Sequence, residues 1–273
     1  MKKALLTAAV LMFFWAKPAG AQCPQPDPPF RIGAALGCSF TGYKEEIESP
    51  INRYLNTLTY IIDGNIEKGN ILHSLNINFF IGNAQMASPY LGYNHLQYIS
   101  ARGLIEYALD GRLWGNSTFP GFLGGAFRIM FYYTGVDFAG VIEKEYYPLP
   151  TGIGLFSLDL HASQKWIISE KHTLTFCAGY PLFGYAVRPA YAGFDELWMK
   201  YLYDGAFLKI LSLGEIASFH NYWAFFGDLK YHYKISALLS SYSGLAFEIS
   251  HFNSPRPRRD AIFRLNTGIA FTF

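Results

Sequence analysis

Asp159-Leu-His161 sets a carboxylate and an imidazole two residues apart. On a β-strand, residues i and i+2 share a face, so the pair could reach one substrate or each other, as acid–base work requires. The competing reading is a structural pair that fills an interior. A second group lies in Glu248-Ile-Ser-His251-Phe-Asn253-Ser254, with Asp260 following in the next loop. Acyl hydrolysis needs a hydroxyl beside a base and an acid that orients the base. Here His251, Ser254 and Asp260 could supply them, although Ser254 falls on the opposite parity from His251, and a histidine ending a strand at an interface fits as well. Asn253-Ser-Pro-Arg-Pro-Arg-Arg259 is a stiff basic loop in which Arg256, Arg258 and Arg259 could hold phosphates or acidic glycans. Equally, it could be a polar hairpin connection that resists aggregation. The three cysteines, Cys23, Cys38 and Cys177, have no metal-site spacing, and no cofactor is implied.

The elements that must carry these residues are strands. Ala261–Phe273 alternates Phe263, Leu265, Thr267, Ile269, Phe271 and Phe273 with Arg264, Asn266, Gly268, Ala270 and Thr272, giving one apolar and one polar face. Trp223, Phe225, Leu229, Tyr231, Tyr233 and Ile235 likewise oppose Asp228, Lys230, His232 and Lys234. The same pattern recurs at Ile32–Phe40, Tyr54–Asp63, Asn70–Gly82 and around Tyr98–Asp110. The polar faces collect Arg102, Glu106, Asp110, Arg128, Asp159, His161, Lys165, Asp228, Lys230, His232, Lys234, Glu248 and Arg264. Both signs occur in similar number, so these residues either pack an interior with compensated charge or line a water-filled lumen. Cys38 and Cys177 fall on opposite parities and are not expected to pair.

Composition narrows the class. Apolar residues make up 51% and aromatics 18%, yet apart from the first twenty residues no run approaches the ~20 apolar residues of a spanning helix. Alternating segments rich in aromatics are what a transmembrane barrel requires, and a barrel leaves no strand edge unpaired in lipid. Internal repeats are absent.

The N-terminal end points to export. Lys2 and Lys3, the apolar stretch Ala4–Ala16 and the small residues of Ala19-Gly20-Ala21 form the pattern of a cleaved secretory signal, residues 1–21. Gln22 precedes Cys23 where a lipoprotein would carry a small residue. Removing Lys2, Lys3 and Lys17 takes the 22 basic residues to 19 against 20 acidic ones, so the basic balance belongs to the signal and implies no nucleic-acid partner.

The terminal Phe273, with Phe271 and Ile269 before it, resembles the closing strand of Gram-negative outer-membrane β-barrels, where such residues belong to the assembly signal. That resemblance implies insertion by the barrel-assembly machinery and contact with outer-membrane lipid and lipopolysaccharide, including at the phosphates that Arg256, Arg258 and Arg259 would meet. The Asp159–His161 pair resembles the Asp-x-His pair of the omptin outer-membrane proteases, whose Asp-x-Asp pair has no counterpart here. The hairpin ending at His251 is similar to the closing strands of lipid A 3-O-deacylases, with Asn253 standing where that family carries its serine.

The expectation is an all-β protein: residues 22–273 form one closed antiparallel transmembrane β-barrel of twelve strands, with ten as the alternative, in the bacterial outer membrane. Ile66–Gly69, Ser169–Lys171 and His220–Asn221 read as tight periplasmic turns, and Lys44–Arg53, Asn83–His95, Gly135–Thr151 and Gly184–Asp204 as outward loops. Phe194–Tyr201 could form a short amphipathic helix. Walking the chain gives about eleven strands, an odd number, with the uncertainty at Phe207–Phe219 or Ser236–Gly244. The leading function is non-enzymatic, either a narrow channel for small polar solutes or a closed structural or surface-exposed barrel. A lipid A hydrolase using His251, or an adhesin working through its loops, are the alternatives.

Overall fold

The computed structural model describes residues 30–45, 49–86, 97–137, 151–188, 200–201, 204–254 and 257–273. The expected signal sequence at residues 1–21, Cys23 and most of the Phe194–Tyr201 segment lie outside them. In chain order the elements are β1 (Arg31–Glu45), β2 (Ser49–Lys68), β3 (Ile71–Met86), β4 (Gln97–Trp114), β5 (Gly121–Asp137), β6 (Thr151–Ile167), β7 (His172–Val187), a one-turn helix α1 (Phe207–Leu211), β8 (Glu215–Ala217), β9 (Tyr222–Lys234), β10 (Leu239–Phe252) and β11 (Arg258–Thr272). Each strand from β1 to β7 pairs antiparallel with the next. β11 returns to β1 and β9 to β7, so ten strands close on themselves. The closing seam joins the two ends of the chain, Arg31 opposite Thr272 through Glu45 opposite Arg258.

The count of twelve is thus corrected to ten barrel strands and one short strand outside the ring. The segment of mixed parity is the cause. Phe207–Leu211 winds into α1, and only Glu215–Ala217 extends, pairing with β7 at Gly184–Ala186. The barrel strands also consume more chain than a minimal span of roughly 9–11 residues, from 13 in β9 to 20 in β2.

Parity decides what each side chain meets. Leu36, Ile62, Leu158, Leu160 and Phe183 are among the many large apolar residues that stay exposed on the outer wall, as lipid contact demands. The residues between them turn inward and are mostly buried, among them Thr59, Asp63, Asp110, Asp159 and His161. Rings gather towards the two rims, with Tyr107 bonded to His73 at 2.8 Å near one and Trp223 lying 5.9 Å from His251 near the other.

The connections differ by end. At one end, here the turn end, β2 and β3 are joined by Gly69-Asn70, where Gly69 adopts φ 60°. That left-handed backbone costs glycine little and suits a two-residue hairpin. Residues 115–120, 168–171 and 235–238 make the other three turns at this end. The opposite end, the loop end, carries the connections at 46–48, 87–96, 138–150, 188–221 and 253–257. His220-Asn221 belongs there, between β8 and β9 and bonded to Asn253, so its assignment as a periplasmic turn is corrected. It reads as a tight turn because β8 and β9 continue one another along β7 with four residues inserted between them. Cys38 and Cys177 are both free, the first on the outer wall.

Candidate functional site

The interior divides into two halves. Towards the loop end, inward positions carry Leu104, Met130, Tyr132, Ile153, Leu155, Tyr222 and Phe252, which pack with three alanines, Ala186, Ala217 and Ala224, into one buried cluster. Tyr222 and Phe252 stack with ring centroids 4.4 Å apart, and the Arg188 guanidinium lies 5.0 Å above Phe252. Arg258 packs over Tyr132 at 4.2 Å and bonds both oxygens of Asp260 at 2.9 Å.

Beneath this cluster is a layer of paired charge. Glu248 accepts from Arg102 at 2.5 Å and from Arg128 at 3.3 Å, and Arg128 also reaches Glu106 at 3.4 Å. One carboxylate bridging two guanidiniums, with a second carboxylate behind, gives buried charges their counter-charges. Phe226 supplies a ring under Arg128 at 3.9 Å. That ring lies over Gly179 on the neighbouring strand, and a Cβ there would sit 2.0 Å from it.

Below the charged layer the bore is hollow. A cavity of about 360 Å³ runs from Phe80, Leu104, Arg102, Arg128 and Glu248 at its blind end to Glu67, Ile167, Thr173 and Thr272 beside the turns. Its wall carries six Arg or Lys (Arg31, Arg102, Arg128, Lys165, Lys230, Arg264) and five acids (Asp63, Glu67, Glu106, Asp228, Glu248). Lys230 lies 3.6 Å from Asp63 and 3.5 Å from Asp228, and Lys165 lies 3.6 Å from Glu67 at the mouth. Arg31 Nη2 lies 2.7 Å from His232 Nδ1, and Tyr242 donates to Asp63 at 2.5 Å.

Of the thirteen residues expected on the polar face, Arg102, Glu106, Arg128, His161, Lys165, Asp228, Lys230, His232, Glu248 and Arg264 border this cavity. Asp110 and Asp159 point inward and are buried away from it. Lys234 is the correction: it stands exposed where β9 ends, beyond the rim. Asp159 and His161 do not act on each other. His161 Nδ1 lies 2.6 Å from Asp110 on β4, and both oxygens of Asp159 are buried without a hydrogen-bond partner. His161 sits towards the turn half of β6, and at 3% exposure it is a wall residue.

The hydrolase residues are not brought together. His251 Nδ1 faces the Arg258 carbonyl at 3.1 Å, Ser254 donates to Glu215 at 2.9 Å, and Asp260 is buried on the inner face against Arg258. Parity is the physical reason, since His251 and Asp260 occupy opposite faces of the wall. The basic loop is corrected in part for the same reason: Arg258 turns into the bore at 4% exposure, Arg259 stays outside, and Arg256 lies outside the described residues. Ile269, Phe271 and Phe273 are exposed on the outer wall, with Phe273 stacked on Phe30 at the seam. Sequence reasoning missed the inward aromatics Tyr132, Tyr222, Phe226 and Phe252, which decide where the bore is filled. The signal lay in their position on the polar parity of their own strands. No three His, Cys, Asp or Glu side chains converge as a metal site among the described residues.

No protein-family model and no curated protein matches the chain. Among solved structures it is similar to the outer membrane protease OmpT from Escherichia coli, with a TM-score of 0.52 at 9% identity, covering 92% of this chain and 99% of that one. The translocator domain of the autotransporter NalP from Neisseria meningitidis aligns with a TM-score of 0.44 at 10% identity, over 90% of this chain and 89% of that one. Neisserial surface protein A gives 0.38 at 8% identity, over 91% and 100%. At such identities the likeness concerns the fold, and the fold is that of Gram-negative outer-membrane β-barrels.

Proposed function

We propose that this chain is a non-enzymatic outer-membrane barrel, sealed towards the loop end and hollow towards the turn end. Short connections belong to the periplasmic side of such barrels, so the cavity would face the periplasm. The observation that carries the reading is the filled loop half: a charged layer at Arg102, Glu248 and Arg128, capped by the cluster around Leu155, Tyr222 and Phe252. A solute crossing the barrel would have to break both. Under this reading the inward charges act as a seal, and the channel version of the protein gives way to the closed one.

The two acid–base candidates raised by the sequence are not arranged for that work among the described residues. A general base must lie within hydrogen-bond reach of the group it activates. His161 is committed to Asp110 inside the wall, and His251, Ser254 and Asp260 each have other partners.

Planar-bilayer conductance on the refolded barrel tests the proposal. The wild type should insert and stay silent. Discrete, reproducible conductance steps from correctly folded protein would overturn the sealed reading.

A further inference from the structure

The cavity wall has one cation too many, and its position is specific. Arg264 points inward on β11 between Ile262 and Asn266, with Ser39 and Ala246 as its strand neighbours, none of them charged. No carboxylate lies at ion-pair distance from it among the described residues, and its Nε is buried without an acceptor. The nearby acids act on it only through space: Glu248 is bonded to Arg102 and Arg128, and Asp228, whose charge favours that of Arg264 most, lies 3.5 Å from Lys230. Arg31, near the mouth, bonds to an imidazole nitrogen that must accept, so His232 brings it no counter-charge. A buried guanidinium that no carboxylate contacts directly keeps donors to offer, and a planar fork of donors is the group that best holds an oxyanion.

We propose that the cavity is a binding site for a small oxyanion-bearing solute, a carboxylate or a phosphate, admitted from the turn end and held on Arg264. The volume of about 360 Å³ lies at the lower end of the range of roughly 300–1,000 Å³ for small-molecule pockets. Arg31, near the mouth, offers a first cationic station on the path to Arg264. Asn65, Ser74 and Thr175 add neutral polar groups to the wall that could bond the rest of such a solute without competing for the anion. The site deepens the reading of a barrel sealed towards the loop end, because a blind cavity retains a ligand that an open pore would pass.

The experiment is calorimetric titration of the refolded full-length barrel at low ionic strength, with succinate in one series and inorganic phosphate in the other. Saturable binding of at least one is expected, and the tighter probe identifies the source chemistry. Arg264→Met should weaken that binding about tenfold or more, as expected for loss of a charge-assisted hydrogen bond. Arg259→Gln, on the outer wall, should leave it unchanged. The absence of saturable binding for both probes, or binding that Arg264→Met leaves intact, would overturn the site. Conductance of the same preparation separates the two proposals. A silent barrel that binds neither probe loses only the site, whereas a conducting barrel that still binds through Arg264 loses only the seal.

Discussion

On β6 the inward positions near the loop end are Ile153 and Leu155, while near the turn end the same face of the same strand carries Ser163. β7 changes in the same sense, from Ala186 above to Thr175 below, and β3 passes from Phe80 to Asn76 and Ser74. Both halves share one wall, one strand number and one alternation. What differs is the summed volume and polarity of the side chains at a given height. Where Tyr132, Tyr222 and Phe252 converge with Leu155 the bore is solid, and where serine, threonine and asparagine face each other it is a cavity. Parity sets which side chains enter a barrel, and their size sets whether anything else can.

The strongest way to break this contrast is to hollow the filled half. Tyr222→Ala combined with Phe252→Ala removes two stacked, fully buried rings, each worth about 3–5 kcal/mol, with a joint loss below their sum because they touch. A lower urea midpoint is expected, together with bilayer conductance absent from the wild type. Unchanged silence in a folded double variant would mean that the charged layer alone seals the bore. Next comes Glu248→Ala, which leaves Arg102 and Arg128 facing each other without their shared carboxylate and should cost about 3–5 kcal/mol or less where cavity water relieves it. Equilibrium unfolding measures it, and Glu248→Gln should recover part of the loss by keeping an acceptor.

Gly179→Ala acts on the boundary between the halves. Its methyl group would displace the Phe226 ring and with it the stacking under Arg128, at about 1–3 kcal/mol. The measurement is again the unfolding midpoint, with Gly125→Ala on the outer wall, where the nearest atom is 3.6 Å away, as the tolerant comparison. The smallest effect belongs to the hollow half. Thr175→Val should shift stability by less than about 1 kcal/mol and produce no conductance, because the hydroxyl borders the cavity and removing it leaves no packed partner unpaired. A large loss there would show that the turn half is packed after all.

Much of the wall follows from the alternation of the sequence alone. Trp223, Phe225, Leu229 and Tyr231 on β9 and Phe263, Leu265, Ile269 and Phe271 on β11 stand outside as their parity required, because lipid selects one face and leaves an uninterrupted pattern. Three things were not legible. Phe226 and Phe252 are apolar residues on the inward face, and a periodicity that equates apolar with outward has no place for them. Lys234 keeps the inward parity of its strand, yet β9 ends there and the side chain stands clear of the rim. The odd count of the walk traces to Phe207–Phe219, one of the two stretches where the alternation breaks down, in which only Glu215–Ala217 extends, over three residues outside the ring. Pairing partners, which sequence spacing does not reveal, separate a wall strand from an appendage. The candidate site suffered most, since Asp110 meets His161 across β5 and Glu248 meets Arg102 from the far end of the chain. Such contacts depend on closure.

Closure has a kinetic consequence. β1 finds its second partner only in β11, the last strand of the chain, and the Phe273 amide reaches the Phe30 carbonyl at 2.8 Å to complete the seam. Loop-closure entropy delays so distant a pairing. Until β11 arrives, the growing ribbon has two unsatisfied edges, and each can recruit a foreign strand. Fifteen register positions are then filled in the final step, and with them Arg264 and Asn266 enter the bore. The order of events therefore places the surplus cation last, within walls that are already standing.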